Sequence, residues 1–324
     1  MRVLHVLIHA PLLPMAARSS LLNMASRPLL SSRFTRLAAT SAAAGAGIFT
    51  MSRYASRTVH AESTTTEPPK TFASGFKFRS LRLHSSEDIS ADLKRLRFEL
   101  PDPLATSGMK LTSSLATIIR PPGALLPIFR EYTPVNDPET TGFVDLVVKK
   151  YPNGALSTHL HDMTPGQSVL FAGPLTRYQW KADNAHPHVA MVAGGTGICP
   201  MWQLLHGIFA NPADRTKVTL VWGVNNDREL FLRDELAALQ RRFPDRLRVV
   251  YAVSNPLPGS PHAAGRVTRE VLEKAGLGRP ERSTKLFLCG PPAMEKAVGG
   301  SWNFGAKDGI LRELGYEKGQ VERL

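Results

Sequence analysis

Arg130-Glu131-Tyr132-Thr133-Pro134 sets a guanidinium, a phenol and a hydroxyl within four residues of one another. A planar guanidinium fork pairs bidentately with phosphate oxygens, and the neighbouring ring and hydroxyl can face a flat heterocycle and its side chain. Gly194-Gly195-Thr196-Gly197-Ile198-Cys199-Pro200 follows an apolar run and opens a helical pattern. Glycines there let a pyrophosphate approach the backbone at a helix N-terminus, where amide donors and the helix dipole both favour anions. Cys289-Gly290-Pro291-Pro292-Ala293-Met294 ends a third apolar run. Loops at the carboxyl ends of parallel strands are where open α/β sheets bind ligands, so the Cys289 thiol could lie beside a nicotinamide ring. Each segment alone reads equally as a strand end, a tightly packed glycine turn or a buried cysteine. In this order they point to a flavin bound in one domain and a nicotinamide dinucleotide in the next.

Other side chains add to these. Lys149 and Tyr151 precede Gly154-Ala155-Leu156-Ser157, where glycine and a hydroxyl at a helix start can serve an anion or simply cap the helix. In the run from Gly223 to Glu229 an acidic side chain can accept hydrogen bonds from an adenosine ribose and repel a 2′-phosphate, which favours NADH over NADPH. Arg228 and Arg233 lie close enough to blunt that preference. The glycine loop is neither the Gly-x-Gly-x-x-Gly fingerprint nor a Walker loop. The ten histidines and two cysteines show no metal-ligand spacing, and His159 and His161 lie two apart on a predicted helix, where they cannot share a face. No nucleophile elbow and no nucleic-acid module is present.

Two kinds of element must position these groups. Short runs at 76–83, 93–100, 143–150 and 168–172 alternate or are β-branched, with turn residues between them, and predict a small antiparallel barrel. After Pro187 the pattern becomes strand–helix alternation, with strands at 189–193, 218–222, 248–253 and 285–288 and helices at 201–209, 229–243 and 267–274. That alternation predicts a parallel sheet covered by helices, with the boundary near 181–187.

Residues 1–61 hold seven arginines, no lysine and no acid, so removing them leaves +6 of the net +13 for 62–324. An Arg- and Ser-rich stretch without acids reads as a mitochondrial transit peptide. The apolar 3–17 could also pass for a secretory h-region. The Ala/Gly-rich 37–52 falls short of the roughly 20 residues that span a bilayer, though it could serve as a weak membrane anchor. Two cysteines make no disulfide framework and fit a reducing compartment. The Ser/Thr/Pro-rich 62–74 reads as a linker. The domains expected are therefore a targeting segment 1–61, a linker 62–74, an FAD-binding barrel 75–183 and an NAD-binding domain 184–324.

From about Phe76 onward the chain resembles the ferredoxin-reductase-type flavoproteins, and among them the fungal mitochondrial NADH–cytochrome b5 reductases. The likeness rests on Arg130, Tyr132, Thr133 and Pro134, the stretch 147–151 with Gly154 and Ser157, Gly173-Pro174, the 194–200 loop, Leu230-Phe231-Leu232-Arg233 and the 289–294 loop. It implies a six-stranded antiparallel FAD-binding barrel followed by a Rossmann-like parallel-sheet NAD-binding domain. Arg130 would bind the flavin pyrophosphate, Tyr132 and Thr133 would face the isoalloxazine and ribityl chain, and Val147, Lys149, Tyr151, Gly154, Leu156 and Ser157 would complete the FAD site. Gly195, Thr196, Gly197, Cys289, Gly290, Pro291 and Met294 would frame NADH, with Glu229 on its ribose side. Thr133 and Cys289 are the candidates nearest the reacting rings. Hydride would pass from NADH to FAD, and single electrons onward to cytochrome b5 or another haem protein, with mitochondrial membrane association and no nucleic acid among the partners.

Four departures stand against the resemblance. Glu131 replaces the usual proline and brings a charge near a diphosphate. Cys199 replaces threonine or alanine. Gly173-Pro174-Leu175-Thr176 lacks a second glycine, and the chain ends in Leu324 where relatives end in an aromatic residue. Two other functions keep the same fold. One is a mitochondrial flavoprotein reducing haem or cytochrome c during assembly. The other is a non-catalytic flavin-binding scaffold, which would have no need of both the 194–197 and 289–292 loops.

Overall fold

The structure is a computed structural model and describes residues 67–73, 75–183, 185–301 and 309–324. The targeting segment 1–61, with the 37–52 stretch, lies outside the described residues. Among the described residues no helix is long and apolar enough to cross a membrane.

The first half is an antiparallel sheet of β1 (Lys77–Ser90), β2 (Leu93–Glu99), β3 (Ser113–Ile119), β4 (Ile128–Tyr132), β5 (Phe143–Lys149) and β6 (Ser168–Thr176), ordered β4-β3-β6-β1-β2-β5. The period-two alternation sends Leu81, Leu83, Leu96, Phe98, Leu115, Val144, Leu146, Val148, Val169 and Phe171 into one core. The sheet rolls around that core as a half-barrel. The segment after edge strand β4 reaches edge strand β5 through Val135 N, which donates to Asp145 O at 2.9 Å. Pro134, two residues beyond β4, has no N–H to extend the ladder, and past it the Asn136 side chain takes over, accepting from Asp145 N at 2.8 Å and donating to Phe143 O at 3.1 Å. Helix α1 (Ala155–Asp162) contributes Leu156 and Leu160 to the same core.

The second half is a parallel sheet of β7 (His188–Gly194), β8 (Lys217–Val224), β9 (Leu247–Val253), β10 (Ala263–Ala264), β11 (Lys285–Cys289) and β12 (Val321–Arg323), ordered β10-β9-β8-β7-β11-β12. β7 is buried on both sides, as parallel strands under two helical layers are. Val189, Met191 and Ala193 face α2 (Ile198–Ala210) and α3 (Arg233–Arg242). Ala190 and Val192 face α4 (Arg269–Lys274), α5 (Pro292–Gly299) and α6 (Ile310–Glu313). β8 and β11 flank β7 on opposite sides, so the strand order reverses between β7 and β11. The loops after these two strands therefore border the crevice where doubly wound sheets take ligands.

The halves meet through α2 and the outer face of β5. Leu93, Val135 and Val147 share a core with α2 and β7. Trp202 donates its indole N–H to Val135 O at 3.1 Å, and Ser113 N donates to Gln203 Oε1 at 3.0 Å.

One expected element changes. The run 229–243 is not one helix: Asp227–Glu229 is a single tight turn, and α3 starts at Arg233. Asn226 caps that turn, accepting from Arg228 N at 3.0 Å, while Glu229 turns inward to a buried lysine. An acid held by a partner on the other lobe breaks the continuity that apolar spacing alone predicts.

Candidate functional site

Strand alternation on β4 puts Arg130 and Tyr132 on one face and Glu131 on the other. Arg130 is exposed, its guanidinium bonded to Phe129 O at 2.7 Å. Tyr132 packs against the barrel core. Burial pushes its phenol up to about 12, against the opposing influence of the Arg130 charge. The Tyr151 side chain also disfavours ionisation of the same phenol. Thr133 follows at the strand end, half-buried. Glu131, the charge that departs from the family pattern, is matched on its own face: it accepts from Ser114 Oγ at 2.8 Å and pairs with Arg177.

At the start of α1, Gly154 caps without a side-chain bond, leaving the first-turn amides to an external acceptor. Ser157 Oγ donates to Gly154 O at 3.0 Å and accepts from Tyr151 N at 3.3 Å, so the hydroxyl braces the loop. Leu156 and Val147 are buried in the cores, so only their backbones can reach a ligand.

In the second half, Gly194 and Gly197 form a seam against Cys289 and Gly290. A Cβ at Gly197 would strike the Cys289 carbonyl, and one at Gly194 the Met294 sulfur and Pro291 ring. Gly195 holds φ +53°, and its carbonyl accepts from the buried Trp222 indole at 2.9 Å. Helix α2 then begins with no side-chain cap, its Ile198 N–H bonded back to Gly195 O and Thr196 O and its third residue, Pro200, carrying no N–H. Gly290 N donates to Glu295 Oε1 at 3.1 Å, which holds the second loop, and burial raises the Glu295 carboxyl. The Cys289 thiol donates to Leu324 O at 3.1 Å, and burial pushes it up to about 12. Burial also raises the Cys199 thiol. Neither sulfur is a thiolate at neutral pH, so any role for Cys289 is as a neutral neighbour of a ring. Iodoacetamide at pH 8 is expected to label both cysteines only after unfolding, because burial disfavours the thiolate that reacts. Rapid labelling of the folded protein would contradict this environment.

The two halves touch at Lys149 and Glu229. Their ion pair is 2.7 Å long, with side chains only 10% and 4% exposed, and Asp92 lies 3.4 Å from the same Nζ. Glu229 is also within reach of Asn225 N at 3.5 Å and Asn226 Nδ2 at 3.4 Å. Gly194 and Gly197 come together with Cys289, Gly290, Pro291 and Met294, and Arg130 and Tyr132 share one face of β4. Sequence reasoning missed the supports: Trp222 under Gly195, Glu295 on Gly290, and Ser114 with Arg177 on Glu131. Among them only Trp222 carried a signal, as a lone indole in an apolar strand, whose N–H must find a partner when buried.

The residues fit the two groups their chemistry suggests. An exposed guanidinium beside an aromatic face and an uncapped helix suits a flavin diphosphate. A glycine seam that a Cβ would close suits a pyrophosphate and a flat ring.

Two family models match the chain: the oxidoreductase FAD-binding domain over residues 80–180, and the oxidoreductase NAD-binding domain over residues 191–299. The NADH-cytochrome b5 reductase 2 of Pyricularia oryzae is 43% identical over 262 residues, covering 80% of this chain and 79% of that protein. Its counterpart in Emericella nidulans is 43% identical over 285 residues, covering 86% and 87%. The cytochrome b5 reductase domain of Ulva prolifera nitrate reductase superposes with a TM-score of 0.65 at 29% identity, covering 76% of this chain and 97% of that one. With its FAD-binding half-barrel and its NAD-binding parallel sheet, the chain belongs to the NADH–cytochrome b5 reductase family of flavoprotein oxidoreductases.

Proposed function

We propose that this protein takes hydride from NADH onto a bound FAD and delivers single electrons to a haem protein, with cytochrome b5, the acceptor in its relatives' names, as the first candidate. The reading is carried by one observation: the glycine seam after β7 lies against the loop after β11, with Cys289 in register with Ala193, at the strand-order reversal. FAD, when bound, supplies the conversion of a two-electron donor into two one-electron steps. The chain's own residues bind, orient and exclude water. Arg130 and the α1 amides would hold a diphosphate, and the glycine seam would hold a second one. Cys289 and Thr133 border the ring faces without carrying charge. Hydride transfer between two rings needs no general base, and the Glu295 carboxyl beside the seam is engaged with Gly290 N.

The test is anaerobic addition of NADH, then NADPH, to the FAD-loaded protein while the flavin absorbance is followed, with cytochrome b5 added afterwards. Bleaching by NADH well ahead of NADPH, followed by haem reduction, is the expected result. A bound flavin that NADH leaves oxidised would end the reading. Haem that stays oxidised in the presence of the bleached flavoprotein would remove cytochrome b5 alone.

The Arg-rich, acid-free 1–61 supports a mitochondrial location for this chemistry. Residues 1–66 fused to a fluorescent protein should carry it into mitochondria, and a diffuse or secreted signal would overturn that assignment.

A further inference from the structure

The outer face of the half-barrel carries an apolar surface that the cofactor site does not use. Paired residues of neighbouring antiparallel strands point to the same face. Phe129 of β4 pairs with Ile118 of β3, and Ile118 pairs in turn with Leu170 of β6. In the next row Phe78 of β1 pairs with Ala172, which pairs with Ala116. Phe76 meets Phe78 edge to face, with ring centroids 5.4 Å apart. Phe76, Phe78, Phe129 and Leu170 are all exposed. The surface ends at the β3–β4 turn, residues 120–127, where Leu125 is 90% exposed and Leu126 76%. A sheet face turned to water is ordinarily polar, and exposed apolar surface of this extent marks a contact.

The chemistry of the face says what it contacts. The segments that build it, 68–86, 110–130 and 163–182, contain nine lysines and arginines and no acid. The nearest acids, Glu131 and Glu99, are each paired with a cation of these segments, Arg177 and Arg82. The rim of the apolar surface is therefore positive, complementary to an anionic layer. Pro121, Pro122 and Pro127 have no backbone N–H, and Ala124 N is bonded to Pro121 O at 3.1 Å. Such a turn enters an apolar layer with few unsatisfied donors. A convex tip of two leucines needs a matching pocket in a protein partner, but none in fluid hydrocarbon.

We infer that the β3–β4 turn, with Leu125 and Leu126 inserted, docks the FAD half on an anionic lipid bilayer surface. Tyr132 lies about 13 Å along β4 from Ile128, so the end of the strand that borders the flavin site stays clear of the lipid. The inference is independent of which dinucleotide the second half binds.

In the FAD-loaded full chain, Leu125→Cys is labelled with a maleimide fluorophore that brightens and shifts blue on leaving water. Burial keeps the two native thiols out of the reaction, which the unsubstituted chain checks. On vesicles of phosphatidylcholine with phosphatidylserine the emission should rise at least about two-fold, and on phosphatidylcholine alone far less. The same label on Glu235→Cys, exposed on α3, should not respond. Adding Leu126→Asp to the Leu125→Cys chain should cut the response at least about five-fold while NADH bleaches the flavin as before. A label at 125 that stays in water at saturating anionic vesicles overturns the inference, as does an equal response to neutral ones. A label already shielded before lipid is added would mean that another segment of this chain or a second copy covers the face, and would overturn it. A response to cytochrome b5 without lipid would make the turn a protein contact and overturn it too.

Discussion

Gly197→Ala is expected to lower stability by about 3 kcal/mol, the upper part of the usual cost of overpacking, and to weaken NADH binding more than ten-fold. The added Cβ would lie inside van der Waals contact of the Cys289 carbonyl oxygen and carbon, and also close on Gly290 Cα. All three are backbone atoms, so no rotamer change can relieve the contact, and the two loops must separate. For a folded region of this size about 3 kcal/mol corresponds to roughly 6–12 °C in Tm. Gly195→Ala is the informative control. Its Cβ would meet no protein atom within 4 Å, but the residue holds φ +53°, so the cost is the left-handed backbone term of about 1–2 kcal/mol. Scanning calorimetry of the two variants, with equilibrium NADH binding, checks the ordering. Equal Tm losses would mean that the seam opens freely, and would remove the close approach as the reason for glycine at 197.

What the sequence made legible follows from how local each signal is. The three loops were readable because a strand, a turn chemistry and a following helix are all encoded within a dozen residues. The buried run at 189–193 was readable because a parallel strand under two helical layers is apolar on both faces. The closure of the barrel was not, because it depends on Pro134 failing to donate across to a strand eleven residues away. Nor was β12: Val321-Glu322-Arg323 has no apolar pattern, and it is a strand only because β11 offers a free edge, in register from Leu286–Val321 to Leu288–Arg323. The same pairing continues one residue further: Leu324 N donates to Leu288 O at 3.1 Å and Leu324 O accepts from the Cys289 thiol.

The roles of charged residues were the least legible. Glu131 reads as a threat to a bound diphosphate until Ser114 and Arg177 are seen on its own face of β4. Glu229 and Lys149, eighty residues apart in the chain, read as servants of different cofactors until they prove to be one ion pair. In both cases charge in the sequence says that a partner exists, and only the fold says which partner.

That distinction bears most on Arg130. Replacing it with leucine is expected to weaken FAD binding about 100-fold while leaving the protein folded. The guanidinium is exposed, and its neighbour Glu131 is already committed elsewhere, so its donors are not tied up in an internal ion pair. Its bond to Phe129 O uses one of the five N–H groups and orients the rest. Two charge-assisted bonds to a diphosphate, at about 1.5–3 kcal/mol each before the cost of ordering, support a net loss near 3 kcal/mol, which is about 100-fold in Kd. Because the side chain buries little, the apoprotein's Tm should move by less than about 2 °C, so weakened binding cannot be mistaken for unfolding. Arg130→Lys should recover only part of the affinity, since an ammonium supplies the charge but not the fork. Glu131→Gln should leave FAD affinity within about three-fold, because that carboxylate faces Arg177 on the other side of the strand. Flavin-to-protein ratio after gel filtration, with flavin fluorescence titration of the apoprotein, reads all three variants. A leucine variant that keeps a full complement of tightly held FAD would show that the diphosphate is bound elsewhere, with the uncapped start of α1 the next place to look.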